Sequence, residues 1–185
     1  KLELRQSRFG YTPAAVDDPT RWMVPIHIRF IGPGFDRDMT TLLEEATTLI
    51  DLPIPDAAVV VNSGGHGFFR VRYDDTLHSR LDRNVLPGLA AIDRYNLVSD
   101  LWASVVAGSA TAIEFLDLAY RLADETEFPV WQAIDAGLRE LDRIVDGAQR
   151  DEFSAGVRRL VAPALDRLGW TSIGDGSDVA SDADP

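Results

Sequence analysis

Cysteine is absent from this 185-residue chain, which rules out disulfide bonds, thiol nucleophiles and cysteine-ligated zinc. Lysine is nearly absent too: Lys1 is the only one among 18 basic residues. Histidine occurs three times, at His27, His66 and His78, and none has a His or Glu partner at helical spacing. The H-E-x-x-H pattern of a zinc-hydrolase helix is therefore missing, and so is the G-x-S-x-G elbow of a serine hydrolase. The three histidines read as solvated surface groups, and no catalytic or metal-ligating residue is expected. No apolar run approaches the ~20 residues needed to cross a bilayer. The N-terminus lacks an initiator Met and the basic-then-apolar pattern of a signal peptide. A cytoplasmic location without membrane association is the expectation.

Hydrophobic residues make up 45 % of the chain and charged ones 26 %, the balance of a globular protein able to bury a core. The net charge of -12 is unevenly spread. Residues 1–74 carry 8 basic and 10 acidic side chains, whereas residues 75–185 carry 10 and 20. Phosphate backbones repel such a surface, so nucleic acid is excluded as an expected partner. The Arg, Asp and Ala bias points to a GC-rich bacterial source.

The pattern of the sequence changes at about residue 74. Upstream it is of β type. Leu2 and Leu4 alternate with Glu3 and Arg5, opening a strand expected to run to about Phe9. Val24, Ile26, Ile28 and Phe30 share one strand face, and Pro25 requires an edge or a bulge there. Gly32-Pro33-Gly34 ends that strand. Thr40 to Leu52 reads as a hairpin turning near Glu44-Glu45-Ala46. Ala57 to Val61 is a short apolar strand, and Ser63-Gly64-Gly65 turns into a last strand, Phe68 to Tyr73. About six short strands predict a small antiparallel β-sandwich over residues 1–74.

Downstream the apolar residues recur at helical spacing. Asp74 or Asp75 can cap a short helix carrying Leu77, Leu81 and Val85. Asp93 is the expected N-cap of the next, with Ile92 and Leu97 placed as a hydrophobic staple. Val98, Leu101, Trp102 and Val105 form its inner face, and Gly108 stops it. Ser109 is expected to cap a third helix with Ile113, Leu116, Tyr120 and Ala123 inward. Trp131, Ile134, Leu138, Leu141 and Val145 mark a fourth. A fifth carries Phe153, Val157, Leu160, Val161, Leu165 and Leu168, with a bend near Pro163. Residues 75–170 thus predict a helical domain of stacked antiparallel hairpins. The fold class is α+β in two parts, followed by an acidic tail, 171–185, too polar to pack.

Gly64-Gly65-His66-Gly67 reads as a hairpin turn rather than a phosphate loop, because an expected strand follows it and it lacks a lysine. Asp175-Gly176-Ser177-Asp178 lacks the mid-loop Gly and terminal Glu of a calcium loop. Strand alternation puts Phe68, Arg70 and Arg72 on one side, with Phe69, Val71 and Tyr73 on the other. Arg70 is expected to reach a carboxylate of the helical part, Asp74 or Asp93.

Gly67-Phe68-Phe69-Arg70-Val71-Arg72-Tyr73-Asp74 resembles the G-x-Y-R-V-x-Y-D signature found late in zinc aminopeptidases of the aminopeptidase N family, which includes endoplasmic reticulum and puromycin-sensitive types. Phe69 stands where that family often has Tyr. Gln6-Ser7-Arg8-Phe9 is similar to its Q-x-R-F strand, and Trp22-Met23-Val24-Pro25-Ile26 to its W-x-V-P segment. Asp93-Arg94, Asp100 and Gly108 resemble its D-R…D…G run. Glu125 with Val130-Trp131 resembles its E-x(4,5)-V-W. Five motifs in the family's order span residues 1–170.

The resemblance implies that the chain holds most of a small β-sandwich and the first helices of a C-terminal helical domain. The family's zinc, its ligands and its catalytic residues would precede Lys1, in a catalytic domain that would be this region's partner in the same polypeptide. A start inside a strand, at Lys1, fits an excised fragment. Gly67, Phe69, Arg70, Tyr73, Asp74, Asp93, Arg94, Asp100 and Trp131 are then structural motif residues. The function implied is that of a spacer and part of a lid over a chamber where peptides lose N-terminal residues. A freestanding interaction module with an acidic helical platform is the alternative. Self-association through uncovered apolar helix faces is a further expectation.

Overall fold

The computed structural model describes residues 1–12 and 18–169. The expected acidic tail and the Asp175–Asp178 stretch lie outside the described residues.

Among the described residues five strands precede five α-helices, so the α+β architecture in two parts is as the sequence indicated. The strands are β1 (Leu2–Arg5), β2 (Val24–Gly32), β3 (Phe35–Leu43), β4 (Thr47–Ile50) and β5 (Ala58–Val61). β1 pairs with β4, while β2 lies between β3 and β5, all antiparallel. Alternation in β2 turns Ile26, Ile28 and Phe30 inward, where Leu2 and Leu4 of β1 meet them together with Leu43 and Val59. The two sheets thus face each other over one apolar core. Pro25 pairs with Leu42 on β3, and β5 covers β2 only from Ile28 to Ile31. Pro25 therefore sits where β2 is locally an edge, as its missing N–H demands. Gly34, with φ of 67°, closes the β2–β3 hairpin.

Three strand expectations need correction. β1 ends at Arg5 and does not run to Phe9. A turn does occur at residues 44–46, but β3 and β4 do not pair with each other. The Gln6 backbone N–H donates to the Ala46 carbonyl, and its side chain donates to that of Glu45. Those bonds fasten the turn to the end of β1, which draws β4 alongside β1. Phe68–Tyr73 is not a strand at all. It bends at 67–69 and alternates exposed Phe68, Arg70 and Arg72 with inward Phe69, Val71 and Tyr73, and its Val71 N–H goes to the Asp100 side chain of the helical part instead of to a neighbouring strand.

The helices are α1 (Asp75–Arg80), α2 (Ala91–Val106), α3 (Ala112–Arg121), α4 (Phe128–Ile144) and α5 (Gly147–Leu168). Asp74 caps α1 by accepting from the Leu77 N–H at 2.8 Å. α1 ends at Arg80, before Val85. α2 starts at Ala91, so Asp93 is its third residue and not its N-cap. Ile92 is exposed while Leu97 is buried, and no staple forms. Thr111, not Ser109, caps α3, because Thr111 and Glu114 form a reciprocal capping box. Phe115, Leu118, Ala119 and Leu122 form its buried stripe. Ile113, expected inward, is 78 % exposed, and Leu116 and Tyr120 are half-buried.

α4 buries Val130, Ile134, Leu138 and Leu141 against α2, with Trp131 at the margin. α5 runs through Pro163 and contributes Leu160, Phe153 and Val157, while Leu165 and Leu168 remain exposed. β5 joins the two parts. Ala57 and Val59 point into the sandwich core, and Ala58 and Val60 into the helical core. Burial on both faces accounts for its unbroken apolar run.

Candidate functional site

Where the sandwich meets the helices, a polar framework is built around residues 62–74. Asn62 adopts φ 64° and ψ 33°, a left-handed conformation that Asn tolerates because its side chain can bond locally. Its Oδ1 accepts from the Gly67 N–H at 2.7 Å, and its Nδ2 donates to the Gly67 carbonyl at 3.0 Å. A side chain at Gly67 would collide with the Phe69 ring. Asp93 Oδ1 accepts from the Gly64 N–H at 2.7 Å, which ties the turn to α2. Phe69 packs into the sandwich core, while Phe68 is fully exposed.

Next along the chain, Arg70 donates to Asp100 Oδ1 and to Ser99 Oγ, each at 2.8 Å. The other Asp100 oxygen accepts from the Val71 N–H at 3.0 Å. Asp100, rather than Asp74 or Asp93, is therefore the carboxylate that receives Arg70; Asp74 is committed to its cap and Asp93 to Gly64. Arg72 reaches Glu114 at 2.6 Å and also the carbonyls of Tyr73 and Ser109. The Tyr73 hydroxyl accepts from the Val61 N–H at 2.9 Å, closing the segment back onto β5.

A second framework joins α2 to the α3–α4 connection. Arg94 donates to Glu125 through Nε at 2.6 Å and Nη2 at 2.9 Å, and it also reaches the Leu89 carbonyl. Glu125 further accepts from the N–H groups of Thr126 and Glu127. Its backbone carbonyl takes Trp131 Nε1 at 2.9 Å and Arg167 Nη2 at 2.8 Å. One residue thus gathers α2, α4 and α5. At the other end of the molecule, Gln6 accepts from the Trp22 N–H at 2.9 Å and donates to its carbonyl.

Burial and partners set the electrostatics. Burial raises Asp100 above the usual carboxylate range, although Arg70 and the Val71 N–H pull it down. Burial also pushes Glu125 up, but Arg94 and the N–H groups of Glu127 and Thr126 together hold it below the usual value. Tyr73 is raised by desolvation, so its hydroxyl stays neutral. None of these shifts creates a free acid and base facing a common cleft. The cavity beside Asn62, Tyr73, Asp93, Asn96 and Asp100 holds only ≈ 10 Å³, room for about one water and no substrate group.

The histidines are distributed differently from expectation. His27 and His66 are exposed and lie with ring centroids 5.2 Å apart, His27 also bonding Thr40. His78 is buried, because α1 turns it between the 70–74 segment and α3. Among the described residues no group of three or more His, Asp or Glu side chains could hold a metal ion.

Asn62 and Gln6 carried roles that the motif reading missed. Asn before Ser-Gly-Gly is a turn signal with a left-handed preference, and that signal could have identified the clamp. Glu125 was visible as part of a motif, but nothing in the sequence pairs it with Arg94.

The architecture is that of an aminopeptidase C-terminal region. Residues 58–183 match the family described as "ERAP1-like C-terminal domain", and the chain belongs to that family. It is 33 % identical over 175 residues to puromycin-sensitive aminopeptidase of Caenorhabditis elegans, covering 91 % of this chain and 18 % of that protein. It is 30 % identical over 186 residues to aminopeptidase M1-C of Oryza sativa subsp. japonica, covering 91 % and 20 %. Endoplasmic reticulum aminopeptidase 2 of Homo sapiens is 29 % identical over 144 residues, covering 72 % and 15 %. The chain spans about a fifth of the length of the curated relatives it matches. These relatives are eukaryotic and lend no support to a bacterial source.

Proposed function

We propose that this chain is the non-catalytic C-terminal region of a cytoplasmic zinc aminopeptidase, with the sandwich as spacer and the helices as part of a lid over a peptide chamber. One observation carries this reading: every polar motif residue between Gly67 and Trp131 is committed to an internal bond, either tying residues 61–73 together and to α2 or fastening the helical part to itself. Arg70 with Asp100, Arg94 with Glu125, and Tyr73 with Val61 are joints, and joints of this kind suit a scaffold. Membership of the aminopeptidase C-terminal family supports the same reading. The zinc, the water it activates and the residues that grip the peptide amine belong to the preceding catalytic domain. Two units follow in this proposal, a sandwich over 1–74 and a helical unit from 75 onward.

The purified 185-residue chain, supplied with zinc, should leave aminoacyl-nitroanilides intact. A longer polypeptide that adds the upstream H-E-x-x-H region should cleave them. Stoichiometric zinc uptake with turnover by the 185 residues alone would overturn the proposal.

A further inference from the structure

His78 lies at a junction of four elements. It stands on α1 and lines a cavity of ≈ 10 Å³ together with Val71, Arg72 and Tyr73 of the extended segment, Leu97 and Leu101 of α2, and Leu118 of α3. The residue is buried, and its Nε2 is enclosed with no hydrogen-bond partner. The surroundings suit a neutral ring and oppose a charged one. The charged groups that face it are Arg72 from the segment and Glu114, Asp117 and Arg121 from α3. Both cations repel an imidazolium. Both anions are already engaged, Glu114 with Arg72 and Asp117 with Arg121. Arg121 also donates to the carbonyls of His78 and Leu81, at 2.8 and 3.1 Å, so one guanidinium fastens the end of α1 to α3 beside the ring.

We propose that His78 is an acid-sensitive latch: protonation of its ring releases α1 and residues 70–74 from α2 and α3, while the rest of the helical core stays folded. The proton on Nε2 brings a third positive charge into a junction that has no uncommitted anion and too little room for a hydration shell. The cheapest relief is outward movement of α1, a six-residue helix held at its end by Arg121. Burial first, and then Arg121, hold His78 below the ordinary histidine value. The sign follows directly. The open form takes up a proton near the ordinary value of 6.5 while the closed form does not, so closure weakens as pH falls below 6.5. This release is independent of any catalytic role of the longer polypeptide.

Two measurements on the 185-residue chain test the latch. In histidine NMR titrations, His78 should titrate below the ordinary histidine value of 6.5. In hydrogen exchange corrected for intrinsic rates, amides of 70–81 should exchange several-fold faster, up to about tenfold, at about pH 5.5 than at about pH 7.5, while those of α4 stay protected. His78→Gln should remove that acceleration. Titration of His78 at or above that ordinary value would overturn the proposal, even if the variant fails to fold. So would pH-independent exchange in 70–81, acceleration shared by α4, or acceleration that persists in His78→Gln.

Discussion

Arg94 and Glu125, 31 residues apart in sequence, meet in a two-pronged ion pair that is almost completely shielded, with the side chains only 12 % and 2 % exposed. Removing one partner strands the other charge inside the fold. Glu125→Gln should therefore cost about 3–5 kcal/mol in urea unfolding, and Arg94→Leu a similar amount. The double replacement Arg94→Leu with Glu125→Leu should be markedly less damaging than the sum of the singles. Additive losses in that cycle would show that the two residues are not coupled.

The same pair shapes the acid limb of stability. The folded Glu125 carboxyl titrates below its usual value of 4.5, so its contribution is present above pH 4.5 and is lost as pH falls through the folded value. Asp100 acts with the opposite sign. Its folded pKa lies above 3.8, so ionising it costs stability, and that cost is relieved as pH falls toward 3.8. Denaturant melts between about pH 6 and pH 3 should show a shallower acid loss in the Arg94→Leu/Glu125→Leu chain than in the wild type. A parallel curve would remove Glu125 from the account.

Tyr73 supplies an acceptor that nothing else nearby replaces. Tyr73→Phe keeps the ring in the helical core but leaves the Val61 N–H, at the end of β5, without its 2.9 Å partner. A cost of about 1–3 kcal/mol is expected in thermal or urea melts, as for a buried donor left unsatisfied. A neutral outcome would mean that water reaches Val61.

The change from strand pattern to helix pattern near residue 74 was legible because periods of 2 and 3.6 are local properties of side chains. The joints were not. Phe68–Tyr73 has the alternation and aromatic content of a strand, but whether such a segment joins a ladder depends on which hydrogen-bond partner reaches its backbone first. Here that group is Asp100, some 29 residues away from Val71. Asp93 matched an N-cap by type and position, yet its carboxylate is used on Gly64, a partner that only the folded turn supplies. α3 shows the limit of periodicity. Ile113-Leu116-Tyr120 and Phe115-Leu118-Leu122 both run at helical spacing, and the choice between them came from packing, chiefly against α2. The motif residues were visible as a set, whereas the pairing of Arg94 with Glu125 and of Arg70 with Asp100 required the chain to be folded.

Gly137 records that choice on the α4 side. It is buried in mid-helix, where glycine costs stability relative to alanine, and a methyl group there would drive into the fully buried Phe115 ring. Two effects then compete in Gly137→Ala. The helix-propensity gain is up to about 1 kcal/mol, while overpacking a fixed aromatic ring costs about 1–3 kcal/mol. The collision involves a ring held on all sides and not the end of a flexible chain, so the steric loss should win by about 1–2 kcal/mol. Gly88→Ala is the matched control. A Cβ there meets nothing within 4 Å and no positive φ is required, so that variant should be neutral or stabilised by up to about 1 kcal/mol. Melting both variants beside the wild type separates the terms. A stabilised Gly137→Ala would mean that Phe115 can move, and that α3 is seated against α4 by its capping box rather than by the fit of ring to glycine.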